Sequence, residues 1–100
     1  MKKIYLFCMA GLSTSMMVKK MQEAAKEEGY DCEIAAYSVS DVAQKGKDAD
    51  CILLGPQVRY KLKEVQQQMA GKPVILMDMA DYGMLRGKNV LHTARKAMGD

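Results

Sequence analysis

Aromatic side chains are scarce in this 100-residue chain: one Phe, five Tyr and no Trp. That leaves little flat surface on which to stack nucleobases or a flavin ring. Histidine occurs once, at position 92. A zinc site would have to combine His92 with the three cysteines, which are well separated and form no CxxC pair. An odd cysteine count also argues against a disulfide scaffold. No metal and no cofactor is expected. No apolar run approaches the ~20 residues that span a bilayer. Lys2 and Lys3 followed by residues 4–12 imitate the start of a signal peptide. The apolar part is short, however, and gives way to Ser13, Thr14 and Ser15 without an A-x-A cleavage pattern. A cytoplasmic protein is expected, not inserted in the membrane. The charge balance, fifteen Lys and Arg against twelve Asp and Glu, gives +3. That is too weak an excess to imply a nucleic-acid partner. No repeat, linker or low-complexity tract interrupts the chain; residues 66–68 (QQQ) read as a polar patch on a helix.

What is present is an ordinary globular composition, 49% apolar and 27% charged, at the size of one domain, residues 1–100. Ten methionines are unusual and read as adaptable core filler. Residues 3–8 (KIYLFC) form a β-rich apolar run, residues 9–15 a loop of small and hydroxylated residues, and residues 16–28 a helix. Met17, Met21, Ala24 and Ala25 share the inner face of that helix, while Lys19, Lys20, Glu23, Lys26 and Glu27 face solvent. Gly29 stands at its C-cap position. A second strand is expected over residues 32–37. A short helix from an N-cap at Ser40 through Gln44 follows, closed by Gly46. A third strand over residues 51–54 ends at Gly55-Pro56. Val58, Leu62, Val65 and Met69 make a helical stripe that ends at Gly71. A fourth strand covers residues 74–77. Residues 78–87 read as a loop with room for a turn of helix, and Val90, Leu91, Ala94, Ala97 and Met98 as the inner face of a last helix. The alternation of strands and helices, with strands apolar throughout, predicts an α/β fold: an open four-stranded parallel sheet of order 2-1-3-4, with helices on both faces.

In such a sheet ligands bind at the carboxyl ends of the strands, where strand order reverses. Here that point lies between strands one and three. The loops after them, residues 8–15 (CMAGLSTS) and 55–58 (GPQV), meet there. Cys8 ends a buried strand, Gly11 permits a tight turn, and Ser13, Thr14 and Ser15 lead into a helix. Backbone N–H groups at a helix start, with the positive end of its dipole, make an anion cradle. The same field stabilises a thiolate, and a thiolate at the lip of a phosphate-shaped hole is a nucleophile for phosphorus. A cysteine at a strand end is commonly inert core; the glycine turn, hydroxyl cluster and helix start set Cys8 apart. Cys32 and Cys51 open their strands, at the wrong end of the sheet, and read as structural.

Low-molecular-weight tyrosine phosphatases place an Arg six positions after a similar cysteine. That position is Thr14, and the loop holds no Arg. Without a bidentate clamp on the transferring group, hydrolysis is disfavoured. Response-regulator receivers need an Asp at the end of strand three, where Leu54 and Gly55 stand. With its size, residues 4–15 (IYLFCMAGLSTS), residues 53–57 (LLGPQ), and residues 81–83 (DYG) with Gly87, the chain resembles the IIB component of the lactose/cellobiose class of the bacterial sugar phosphotransferase system. The resemblance covers nearly the whole chain. It implies a phosphotransferase in which Cys8 accepts a phosphoryl group from a phosphohistidine on the IIA component. Cys8 then passes the group to a sugar held by the membrane IIC component during uptake. It further implies that Met9, Ala10, Gly11, Leu12, Ser13, Thr14 and Ser15 supply backbone amides and hydroxyls to the phosphate. The family expectation for the sugar is a β-linked disaccharide such as cellobiose, chitobiose or lactose.

Two other functions are open to these residues. One is a phosphatase-like or oxyanion-reducing enzyme with Cys8 as nucleophile, against which the missing Arg speaks. The other is a non-covalent flavin or nucleotide module, against which the few aromatics speak. Pro56 and Gln57 shape the second loop, with the Gln57 amide within reach of the site, and Tyr82 packs near it or touches a partner. Asp78 and Asp81 follow strand four and read as a cap or solvated loop rather than a general acid. His92 reads as a surface residue. Lys19, Lys20, Arg59 and Lys61 read as a solvated face or a weakly positive rim. Met9, Leu12 and Met16 form an apolar docking patch if they are exposed. Nothing demands more than a monomer.

Overall fold

The first apolar run becomes a strand paired on both edges and covered on both faces. The computed structural model describes the backbone of residues 1–9 and 12–100 and the side chains of 1–9 and 15–100. Its elements are β1 (Lys2–Cys8), α1 (Leu12–Glu28), β2 (Cys32–Ser38), α2 (Val42–Lys45), β3 (Cys51–Leu54), α3 (Leu62–Gln68), β4 (Val74–Leu76), α4 (Met79–Gly83) and α5 (Gly87–Met98). The sheet is parallel, in the order β2-β1-β3-β4, as expected. β1 pairs with β2 from Lys2↔Cys32 to Cys8↔Ser38, and with β3 from Ile4↔Cys51 to Phe7↔Leu54.

The two-residue period of a strand splits the run between two cores. Ile4, Leu6, Cys51 and Leu53 pack with Met17, Met21, Ala24 and Ala25 of α1 and Val90, Leu91 and Ala94 of α5. Tyr5, Phe7, Ile52 and Leu54 pack on the other face with Val42, Val58, Val65 and Met69. This explains why β1 and β3 are apolar at consecutive positions rather than at alternate ones.

α5 lies on α1 at backbone distance. A Cβ added to Gly87 would come within 2.5 Å of the Lys20 carbonyl carbon and 2.7 Å of the Met21 nitrogen. At the far end of the pair, Glu28 of α1 takes hydrogen bonds from two α5 side chains. His92 Nε2 lies 2.6 Å from Oε2, and Arg95 donates to Oε1 at 2.8 Å. His92 is thus a surface residue serving the helix pair.

Several boundaries differ from the sequence-based expectation. α1 starts at Leu12 rather than at residue 16, so Ser13, Thr14 and Ser15 occupy its first turn. Hydroxylated residues are poor in helix interiors but tolerated there, where N–H groups have no intrahelical partner. The stripe from Val58 to Met69 is not one helix. A 3-10 segment, Pro56–Lys61, kinks at Val58 (φ −113°, ψ 23°) before α3 begins. Pro56 opens that segment, its fixed φ suiting a first helical position. The cap predicted at Ser40 is at Ser38, which starts a 3-10 turn, Val39–Asp41, and accepts the Ser40 N–H. β4 ends at Leu76, although the Met77 N–H still donates to Leu54 O at 2.8 Å. Residues 79–83 form the turn of helix for which the predicted loop left room, whereas Ala97 is exposed rather than inward.

Substituting Gly87→Ala forces α1 and α5 apart. We expect a loss of about 1–3 kcal/mol, as for other overpacked contacts, measured by urea unfolding; an unchanged midpoint contradicts the close approach. The Glu28 carboxyl is held below the ordinary carboxylate range, first by the hydrogen bond from His92 and further by Arg95. A depressed folded-state value stabilises the fold above the unfolded carboxylate value of about 4.3, and this contribution disappears as pH falls through the folded value. The Tm advantage of the wild type over Glu28→Gln should therefore narrow between about pH 5 and pH 3. An advantage that stays constant over that window contradicts the assignment.

Candidate functional site

Cys8 is the last residue of β1 and is 2% exposed. Strand alternation puts it on the same side as Ile4 and Leu6, the side that α1 covers. Its neighbour across β2 is Ser38. On the other side the Gly55 N–H donates to Phe7 O at 2.9 Å, so the chain leaving β3 runs beside the end of β1. A Cβ on Gly55 would sit 3.4 Å from the Cys8 Cβ and 2.6 Å from the Gln57 Oε1. The Gln57 carboxamide therefore folds back over Gly55, beside Cys8. Its Nε2 donates to the Tyr82 hydroxyl at 3.2 Å. The second loop and α4 are joined at the carboxyl end of the sheet through this bond.

Of the residues singled out in the sequence, Met9 follows Cys8 and is 62% exposed. Ala10 and Gly11 lie outside the described residues. Leu12, Ser13 and Thr14 are in the first turn of α1, and their side chains lie outside the described residues. Ser15 is exposed on α1, Pro56 is half-buried, Gln57 is exposed and Tyr82 is half-buried. The structure thus brings Cys8, Gln57 and Tyr82 to one place. Gly55, named in the sequence only as the start of the second loop, is the residue whose missing side chain lets that loop lie against Cys8. Its signal was a Gly-Pro directly after a buried strand, a point where two chains can approach closely.

No acidic residue stands in the first turn of α1, a 17-residue helix, so the positive end of its dipole faces the loop after Cys8. The two carboxylates after β4 are engaged locally. Asp78 caps α4 by accepting the Asp81 N–H at 3.1 Å. Asp81 accepts from Arg86 at 3.4 Å and from Asn89 at 3.2 Å. Lys19, Lys20 and Arg59 are exposed, and Lys61 pairs with Glu64 at 3.1 Å.

The other two thiols sit at the opposite, amino end of the sheet. Cys51 is fully buried, and burial pushes its thiol up to about 12; burial also raises that of Cys32. Both groups are thereby kept in the unreactive protonated form. Among the described residues, no three His, Cys, Asp or Glu side chains gather as metal ligands, and no helix is long and apolar enough to cross a membrane.

The family profile described as "PTS system, Lactose/Cellobiose specific IIB subunit" matches residues 3–93. A galactose-specific EIIB component of this system from Lactococcus lactis subsp. cremoris (strain MG1363) is 46% identical over a 104-residue alignment, covering 97% of this chain and 96% of the relative. The oligo-beta-mannoside-specific EIIB component of Bacillus subtilis (strain 168) is 37% identical over 100 residues, covering 98% and 97%. Among solved structures, the cellobiose-specific IIB component of Borrelia burgdorferi superposes with a TM-score of 0.82 at 31% identity, over 98% of this chain and 92% of that one. The lactose-specific IIB domain of Streptococcus pneumoniae superposes with a TM-score of 0.83, over 96% of each chain, at 16% identity, a likeness of fold alone.

Gly55→Ala tests the close approach. The clash at 2.6 Å is with the mobile end of a side chain, whereas the 3.4 Å contact with Cys8 is ordinary. The variant should fold with a stability change within about 1 kcal/mol and turn the Gln57 carboxamide away from Tyr82. Side-chain amide resonances of Gln57 and ring resonances of Tyr82 should shift while β3 amides hold. Unmoved Gln57 and Tyr82 signals contradict the geometry.

Proposed function

Because the chain belongs to the lactose/cellobiose IIB family of the phosphotransferase system, and is therefore a phosphotransferase serving sugar uptake, we propose that Cys8 carries the phosphoryl group. The observation that carries this reading is the position of Cys8: the last residue of the central strand, at the strand-order reversal, ahead of the N-terminus of α1. In the first step the Cys8 thiolate attacks phosphorus of a phosphohistidine on the IIA component. The S–P bond forms, the P–N bond breaks, and the electron pair leaves on the imidazole. In the second step a hydroxyl of the sugar held by the membrane IIC component attacks phosphorus. The O–P bond forms, the thiolate leaves, and the hydroxyl proton passes to a base on that partner or to water.

Both steps depend on in-line geometry and charge stabilisation. Residues 9–15 would supply backbone amides and hydroxyls to the phosphoryl oxygens, and the α1 dipole would stabilise the added negative charge. With Thr14 where phosphatases hold Arg, attack by water gains no clamp on the transition state, which suits a carrier. Pro56, Gln57 and Tyr82 act as positioning residues, holding the second loop against Cys8. The domain comprises residues 1–100 and works in the cytoplasm as a monomer, with no cofactor. The relatives are named for galactose, cellobiose and oligo-beta-mannosides; for this chain we favour a β-linked disaccharide such as cellobiose, chitobiose or lactose.

The test is incubation with the phosphorylated IIA component, followed by mass-spectrometric mapping under conditions that keep S–P bonds. One phosphate on Cys8, absent from Cys8→Ser, is the expected result. Tyr82→Phe should slow transfer by less than roughly tenfold, about 1.4 kcal/mol of barrier. Phosphate on another residue, or equal labelling of Cys8→Ser, overturns the reading.

A further inference from the structure

Of the ten methionines, Met98 is half-buried and the other nine fall into two groups by exposure. Met17, Met21, Met69 and Met77 are at most 7% exposed, as core filler should be. Met9, Met16, Met79 and Met84 are 62, 51, 66 and 65% exposed. Topology gathers these four at the carboxyl end of the sheet. Met9 follows Cys8, Met16 lies near the start of α1, Met79 opens α4 after β4, and Met84 follows α4, whose Tyr82 is bonded to Gln57. Among the described residues, Tyr60, in the 3-10 segment after β3, is the one exposed large apolar side chain there that is not a methionine. Met1, 75% exposed, stands at the opposite end. Leucine would serve a purely apolar rim, though with less flexibility. A thioether also accepts hydrogen bonds, as Met84 Sδ does from Arg86 at 3.0 Å, and, unlike leucine, it can accept an oxygen atom.

We propose that this rim is a site of reversible sulfoxidation by peroxide, through which oxidant turns the surface around Cys8 from apolar to polar. A sulfur lone pair attacks one peroxide oxygen, the S–O bond forms and the O–O bond breaks; the departing hydroxide takes the proton from the oxygen now on sulfur and leaves as water, giving the sulfoxide. Sulfur is oxidised by two electrons and peroxide reduced by two. Methionine sulfoxide reductases reverse the change with electrons from a thiol pair. Cys8 is 2% exposed, whereas the four methionines are each more than half exposed, the Met84 sulfur with a hydrogen bond from Arg86 at 3.0 Å. The expected consequence, slower phosphoryl transfer from a partner that docks over the rim, rests on the carrier reading above.

The experiment treats the whole protein with hydrogen peroxide, reduces any oxidised thiol with dithiothreitol, and follows two readouts. Peptide mapping should show gains of about 16 Da on Met9, Met16, Met79, Met84 and Met1 well before Met17, Met21, Met69 and Met77. Transfer from the phosphorylated IIA component should fall roughly tenfold, with Cys8 mapped as thiol, and recover after treatment with the reductases. The triple variant Met16→Leu/Met79→Leu/Met84→Leu, compared with its own untreated sample, should lose much less. Rim and core methionines oxidising at one rate overturns the site, and a fully oxidised rim with undiminished transfer overturns its consequence. Failure of the untreated protein to take phosphate on Cys8 overturns the carrier reading and that consequence with it, while the order of oxidation still decides the modification.

Discussion

Strand β1 is hydrogen-bonded on both edges and packed on both faces, and the remaining elements are arranged around that double burial. Its even positions sit under α1 and α5, and its odd positions over the core shared with α2 and α3. A strand held from four sides has little freedom to shift, because a one-residue slip would exchange its two faces. The residue at its end inherits that rigidity. Cys8 is fixed by its register with Ser38, by the Gly55 N–H on Phe7 O, and by the helix that follows. On the carrier reading, precise placement of the reacting atom is what a stepwise transfer between two partners needs.

The surroundings of Cys8 combine attraction for an anion with the absence of a hydrolytic clamp. The first turn of α1 holds no acidic residue, and Asp78 and Asp81 are engaged with the α4 backbone, Arg86 and Asn89. On the carrier reading, this favours a phosphoryl group on sulfur without hastening its loss to water. The apolar rim of methionines outside it adapts to more than one contour, a property suited to a surface that meets a donor and then an acceptor.

Much of this was legible from the sequence, for physical reasons. Buried parallel strands announce themselves as unbroken apolar runs, so β1, β3 and the strand order could be read from residues 4–8 and 51–54. The inner face of α1 could be read from Met17, Met21, Ala24 and Ala25, all buried. The start of α1 could not, because Ser13, Thr14 and Ser15 carry loop-like propensities that the first turn of a helix tolerates. The kink at Val58 preserved the apolar spacing while changing the helix type. For the site, Cys8 followed from its position in the pattern, whereas the Gln57–Tyr82 bond spans 25 residues and comes from packing that no local spacing encodes. The partition of the methionines was likewise hidden: composition counts them, but only the fold shows which face outward.

The central claim is that Cys8 carries a phosphoryl group onward rather than releasing it, and the fate of that group tests it most directly. Protein phosphorylated on Cys8 is isolated and divided, one part left in buffer and the other mixed with membranes containing the IIC component and its sugar. The account predicts a phosphoprotein that persists in buffer and yields sugar phosphate, one per Cys8, when membranes and sugar are added. Rapid appearance of inorganic phosphate in buffer alone, with no sugar phosphate formed, would contradict it.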